Sequence, residues 1–269
     1  MKFDETIIIG EKLNSTNAKI RKIFENRDLE ALLSTAGGQV EAGASWIDIN
    51  AAMLMDKELE SLLWAGKAIL ENFDKGISAD SPDVAVLEKC AAEFGERCIV
   101  NSLTADEEIL GKMLPILAQA GAGAIIMLKT VDGIPPRTDE RLGLAREAVI
   151  TAKESGLAPD KIFFDPVFQP VATGSEGLGT ALTTLRALAA ELPEFHRVGG
   201  LSNVSYGLPK RKAVNSAFLA MAVSHGLDAV ICDPADGKLV DLLKASEALA
   251  GIDPGCLRYL KHYRASKRD

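Results

Sequence analysis

Eight short apolar or β-branched runs in the sequence close on polar residues: Asn14, Asp48 with Asn50, Asp80, Asn101, Lys129, Asp165, Asn203 and Asp233. Seven of these ends carry an amide or a carboxylate, and the fifth carries a cation. Asp and Asn favour turns and helix N-caps, so each has a plain structural explanation; Asp48 and the Asp233–Pro234 pair fit it best. Convergence is what points to chemistry. If the runs are strands of one closed sheet, their ends meet at one mouth, where carboxylates without a turn role repel unless a ligand or hydrogen bonds satisfy them. A carboxylate accepts two parallel N–H bonds and an amide offers both a donor and an acceptor. The set therefore suits a neutral, planar, donor-rich ring rather than a phosphate or a metal.

A pterin, with its 2-amino group and ring N–H donors, matches Asp80, Asn101 and Asp165. A divalent cation is the rival, but no histidine or closely spaced carboxylate pair accompanies these residues, so no bound metal is expected.

Positioning such a set requires strands that run the same way. Thr6 to Asn14, Ser45 to Ala51, Gly76 to Asp80, Cys98 to Leu103, Ala122 to Lys129, Lys161 to Val167, Arg197 to Val204 and Leu227 to Asp233 read as strands. Between them lie helical patterns: Ile20 to Ala42, broken near Arg27, then Lys57 to Phe73, Pro82 to Phe94, Glu107 to Ala120, Asp139 to Ser155, Glu176 to Leu192, Arg211 to His225 and Lys238 to Leu249. Ser81 before Pro82 reads as an N-cap, and Gly43, Gly95, Gly121, Gly156 and Gly226 sit where left-handed C-caps belong. Pro115 should kink its helix or mark a late start. Eight strand–helix alternations leave a doubly wound sheet or a closed barrel. The repeat count, the 269 residues and the lack of a G-x-G-x-x-G turn after the first strand favour a single (β/α)₈ barrel of the α/β class, one domain over 1–269.

Thirty Lys and Arg against 38 Asp and Glu give a net charge of -8, the wrong sign for gripping a nucleic acid backbone. The start of the chain lacks a signal-peptide pattern and no apolar run reaches membrane-spanning length, so a cytoplasmic protein without a membrane partner is expected. Cys90, Cys98, Cys232 and Cys256 form no C-x-x-C pair; Cys98 and Cys232 read as inert buried thiols. Trp46 and Trp64 read as core, and His225 as a helix C-terminus. The basic segment Lys261 to Arg268 reads as a solvated tail.

Ile9-Gly10-Glu11-Lys12-Leu13-Asn14, Ile47-Asp48-Ile49-Asn50, Ala79-Asp80-Ser81, Val100-Asn101-Ser102, Phe164-Asp165-Pro166 and Gly200-Leu201-Ser202-Asn203-Val204-Ser205 follow one another as in the pterin-binding methyltransferases. Over essentially its whole length the chain resembles the methyltetrahydrofolate:corrinoid-protein methyltransferases, relatives of the folate domain of cobalamin-dependent methionine synthase. That resemblance implies a (β/α)₈ barrel, usually a homodimer, with tetrahydrofolate or 5-methyltetrahydrofolate as substrate and a corrinoid (cobalamin) supplied by a partner protein. It implies a pterin held by Asp80, Asn101 and Asp165, with Asn203 at N5 as the catalytic residue and Gly200, Ser202 and Arg211 lining the folate site. Asn14, Asp48, Asn50 and Tyr206 are candidates for additional pocket residues; Lys12 and Tyr206 stand where many relatives carry Arg and some carry Gln.

The chemistry fits these residue types. A tertiary amine leaves poorly, so methyl transfer from N5 needs a proton or a strong hydrogen bond there, and an amide such as Asn203 supplies one in either direction without titrating. No D-x-H-x-x-G cobalt-ligand motif occurs, so the corrinoid is expected on a separate protein. Two alternatives are a dihydropteroate synthase-like pterin enzyme and a pterin-binding barrel without methyl-transfer activity. The first expects Asn-x-Thr-Pro-Asp-Ser-Phe after the first strand and Ser-Arg-Lys after the seventh; the chain has Asn14-Ser15-Thr16-Asn17-Ala18-Lys19 and Ser202-Asn203-Val204.

Overall fold

In the computed structural model, which describes residues 5–265, eight strands form one sheet. They are β1 (Ile7–Asn14), β2 (Trp46–Asn50), β3 (Gly76–Asp80), β4 (Cys98–Thr104), β5 (Gly123–Met127), β6 (Ile162–Asp165), β7 (His196–Arg197) and β8 (Ala229–Cys232). All seven strand pairings are parallel, in the order β7-β6-β5-β4-β3-β2-β1-β8. The barrel closes between β7 and β8 through Asp228 N–H to Arg197 O at 3.1 Å and Ile231 N–H to Gly199 O at 3.1 Å. Beside this short seam lies a buried ion pair: Asp228 accepts from the Arg197 guanidinium, from Arg197 N–H at 2.9 Å, and faces His196 Nδ1 at 3.3 Å. The α/β barrel reading is thus met.

The helices are α1 (Ala18–Asn26), α2 (Leu29–Glu41), α3 (Glu58–Asn72), α4 (Val84–Phe94), α5 (Glu107–Ala120), α6 (Thr138–Ser155), α7 (Glu176–Glu191), the single turn α8 (Leu201–Val204), α9 (Arg211–Ser224), α10 (Gly237–Leu249) and α11 (Leu257–Ala265). The break expected near Arg27 lies there: Arg27 takes a left-handed conformation while its guanidinium lies 5.0 Å from the centre of the Trp64 ring and pairs with Glu60 at 2.5 Å. Gly43, Gly95, Gly121, Gly156 and Gly226 all have positive φ, as expected after helices. His225 caps the end of α9, its Nδ1 2.8 Å from Met221 O.

Three expectations change, and one of two alternatives drops out. The seventh strand ends at Arg197, not Val204; Leu201 to Val204 form the helical turn α8 instead. Beyond Arg197 the pairing to β8 thins to Gly199 O and the Gly200–Ile231 bridge, and the Phe168 ring fills the space where a Gly199 Cβ would be, 2.2 Å away. Helix α4 is capped by Asp83, whose carboxylate accepts Ala85 N–H at 2.8 Å, rather than by Ser81, whose hydroxyl accepts Asp83 N–H at 3.1 Å. Pro115 marks no late start, since α5 begins at Glu107 and carries it inside. The basic segment is helical through α11, with His262 Nε2 2.6 Å from Asp241. Its Ser266, Lys267 and Arg268, like the first four residues of the chain, lie outside the described residues.

Alternation along each strand divides the core in two. Leu13, Ile47, Ile77, Val100, Ile126, Phe164 and Val230 point outward and bury against the helices. Ile9, Ile99, Ile125, Phe163, Val198 and Ala229 point inward and pack together inside the barrel, with Ile7, Trp46 and Ile231 against them. Trp46 fits this narrow interior because its register partner is Gly76, where a Cβ would stand 2.1 Å from the indole. Gly76→Ala should therefore destabilise by about 1–3 kcal/mol through overpacking. A urea midpoint equal to wild type would show that the indole is not confined there.

Candidate functional site

The inward columns that build the apolar interior change character toward the carboxyl ends of the strands. In β2, Trp46 is followed on the same face by Asp48 and Asn50; in β3, Gly76 by Ser78 and Asp80; in β4, Ile99 by Asn101; in β6, Phe163 by Asp165. Register sets Asn50 beside Asp80 and Asp80 beside Asn101, so three of the expected residues form one row. The fifth column ends in Met127, paired with Asp165, because β5 stops before Lys129.

One end of the network is buried. Asp48 is 3% exposed and accepts hydrogen bonds from Ser78 Oγ at 2.6 Å and Asn101 Nδ2 at 3.0 Å. Burial, and then the neighbouring Asp80, hold the Asp48 carboxyl well above the usual carboxylate range. Asp80, hydrogen-bonded by Asn50, is pushed up to about 6, mainly by burial. Two carboxylates this close to an apolar floor shed a proton reluctantly, and the floor's low polarity is the larger cause for both.

Across the mouth, Asp165 is also pushed up to about 6 by burial, opposed by Val167 N–H, which it accepts at 2.7 Å, and by Arg141. Arg141 is buried beneath it and donates to Pro166 O at 2.6 Å and Pro135 O at 2.8 Å. It fixes the backbone that follows Asp165. Nothing in its helical setting within α6 marks it in the sequence.

The β7–α9 connection supplies the remaining wall. Arg211 clamps it, donating from Nη2 to Ser202 O at 2.7 Å and from Nε to Ser205 Oγ at 3.0 Å. Ser202 Oγ donates to Glu11 Oε1 at 2.5 Å. Asn203 is exposed, and its amide nitrogen folds back over Gly200, so that a Cβ on Gly200 would stand 3.0 Å from it. Glu11 was not among the expected residues. Alternation from the inward Ile9 puts it on the inner face of β1, before the strand end. Burial raises its carboxyl above the usual range.

Two candidates stand apart from this network. Asn14 is a turn residue, its Oδ1 accepting from Thr16 N–H at 3.0 Å and Thr16 Oγ at 2.6 Å, and Tyr206 is 69% exposed. Asp233 takes both roles: it accepts Ala235 N–H at 3.1 Å and pairs with Lys12 Nζ at 2.8 Å. Cys90, Cys98 and Cys232 are buried, and burial pushes their thiols up, away from reactivity. Among the described residues no group of three or more His, Cys, Asp or Glu could hold a metal ion, and no helix is long and apolar enough to cross a membrane.

Residues 10–233 match the pterin binding enzyme family. The chain is 31% identical over 263 residues to a methylcorrinoid:tetrahydrofolate methyltransferase of Eubacterium limosum, covering 97% of each chain. It is 25% identical over 240 residues to methionine synthase of Mycobacterium tuberculosis, covering 84% of this chain and 20% of that protein. Among solved structures it is similar to a dihydropteroate synthase of Coxiella burnetii in complex with pteroic acid, with a TM-score of 0.71 and 21% identity, covering 94% of this chain and 96% of that one. At that identity the likeness is one of fold.

The raised carboxyls tie stability to pH. Asp165 has a folded pKa of about 6 against an ordinary 3.8, so the folded state holds its proton more tightly than the unfolded chain. Its stabilising contribution is fully present below about pH 4 and is lost as pH rises through about 6. Asp165→Asn stays neutral, so the stability of wild type relative to this variant should fall between about pH 4 and 6 in urea titrations and level off above. A difference that does not change with pH would mean that the carboxyl is not desolvated.

Proposed function

The chain belongs to the pterin binding enzyme family, and we propose that within it the chain moves a methyl group between N5 of tetrahydrofolate and the cobalt of a corrinoid carried by a separate protein. The observation that carries this reading is the pairing of two unlike walls: carboxylates raised on an apolar floor at Asp80 and Asp165, and a clamped turn that holds the Asn203 amide over Gly200. The end-to-end match to a methylcorrinoid:tetrahydrofolate methyltransferase supports it. The likeness to dihydropteroate synthases extends to the fold, and the loops after β1 and β7 lack that enzyme's residues.

Asp80, Asn101 and Asp165 present acceptors, and an amide, to the 2-amino group and ring N–H donors of the pterin. Asn101 is oriented by its bond to Asp48, and Asp165 by Val167 N–H and the backbone that Arg141 holds. Gly200, Ser202 and Arg211 form the wall beside the reacting nitrogen. Asn203 hydrogen-bonds N5: as the methyl group passes to cobalt, N5 takes up a proton from solvent and the amide stabilises the amine that forms, and in the reverse direction the N5 lone pair attacks the methyl carbon while the amide oxygen accepts from N5–H, whose proton returns to solvent. It does this without titrating. The corrinoid supplies cobalt as methyl acceptor or donor.

Further parts of this reading are that residues 1–269 act as one domain in the cytoplasm and that the chain is a homodimer. An apolar groove of about 600 Å³ between α7 and α9, lined by Leu178, Leu182, Val214, Phe218 and the half-exposed Met221, suits a second copy. Sedimentation should give a mass near twice 28.6 kDa, and Met221→Glu should shift it toward the monomer; a monomeric wild type would rule the dimer out.

The site assignment separates two variants. Asn203→Ala should lower the transfer rate by about 100-fold or more with little change in tetrahydrofolate affinity. Asp165→Asn should mainly weaken affinity, by about 10-fold, through loss of a charge-assisted acceptor. Rate measurements paired with calorimetry decide it; equal losses of rate and affinity in Asn203→Ala would remove Asn203 from N5.

A further inference from the structure

The turn that carries Asn203 rests on a carboxylate to which the proposed reaction assigns no part. Glu11 reaches the inside of the barrel from β1 and meets Ser202, 191 residues further along the chain. Ser202 is held twice: its hydroxyl proton goes to Glu11, and its carbonyl accepts from Arg211 at 2.7 Å. Arg211 reaches on to Ser205, so both ends of the short turn α8 are tied, one to β1 and the other to α9.

The surroundings keep this carboxylate on its task. Lys12, the next residue, is engaged with Asp233 at 2.8 Å rather than with Glu11. The charged groups facing Glu11 are Asp233 beyond the end of β8, Arg211 from α9, Lys12 from its own strand and Asp48 from β2. Glu11, Ser202, Arg211, Asp233 and Asn215 line one cleft of about 200 Å³ beside the mouth. In it, Asn215 Oδ1 is buried without a hydrogen-bond partner among the described residues. A polar cleft of this kind is maintained against its own desolvation, which fits a positioning role better than a packing one.

We propose that Glu11 is a positioning residue: through Ser202 its carboxylate fixes the turn from Gly200 to Ser205, and with it the place of the Asn203 amide at the reacting nitrogen. The inference rests on the methyl-transfer reading for its kinetic consequence, and on the geometry alone for its structural one.

Both consequences are measured on Glu11→Ala, Glu11→Gln, Ser202→Ala and the double variant Glu11→Ala with Ser202→Ala. Methyl exchange between methylcobalamin and tetrahydrofolate gives kcat and KM, and hydrogen exchange reads the backbone amides of residues 201–206. Glu11→Ala should lower kcat about 10- to 100-fold with KM for tetrahydrofolate unchanged. Ser202→Ala should do the same and the double variant should be no worse than either single one, since one contact is lost in all three. Glu11→Gln keeps an acceptor oxygen and should recover most of the rate, and it serves if the alanine variant does not fold. Amides 201–206 should exchange about tenfold faster in Glu11→Ala and Ser202→Ala than in wild type. Additive losses, a KM that rises as kcat falls, or unchanged amide exchange would each overturn the role. If wild type exchanges no methyl group with free methylcobalamin, the amide exchange rates alone decide for or against Glu11.

Discussion

The apolar plug inside the barrel is the constraint on which the rest of the site depends. Ile9, Ile99, Ile125, Phe163 and Val198 fill the interior, so the polar residues next along the same columns stand on a surface that offers them no hydrogen bonds. Burial is the first cause of every raised carboxyl around the mouth, ahead of any neighbouring charge. Such groups reward a ligand that returns the lost hydrogen bonds, and a flat ring with several N–H donors does so while covering the floor. Placing acceptors on an apolar floor turns an ordinary barrel mouth into a site with a preference.

The opposite wall works differently. Where the ladder stops after Arg197, Gly199 gives way to the Phe168 ring and Gly200 to the amide of Asn203. The chain then turns once through α8 and is tied by Arg211 and Glu11 before α9 begins. A short strand followed by a clamped turn puts an amide on backbone that side chains hold from two sides. The seam this leaves in the sheet is stitched by the buried Arg197–Asp228 pair and His196. On the proposed reading, recognition falls to rigid strands and the reacting amide to a held turn.

Much of this was legible in the sequence because alternation and turn residues are local signals. The eight runs, the break at Arg27, the five capping glycines, and the choice of Asn50, Asp80 and Asn101 as strand-end candidates follow from residue types at short spacing, while register between strands sets those three in one row. Other features depend on partners far away in the chain. Arg197 to Val204 reads as one strand, and nothing local announces that Leu201 to Val204 turn into α8. Alternation turns Glu11 inward, but its partner Ser202 lies 191 residues away in the chain, and Arg141 carries no local mark of its bond to Pro166 O. Asn14 shows the converse: its type suits a pocket, but its bonds to Thr16 make a turn.

Anaerobic mixing of the purified protein with Co(I) cobalamin and 5-methyltetrahydrofolate, and of methylcobalamin with tetrahydrofolate, tests the reading most directly. The cobalt absorbance should change in both directions only when the protein is present. No change in either direction, together with no heat of tetrahydrofolate binding in calorimetry, would contradict both the reaction and the pterin site.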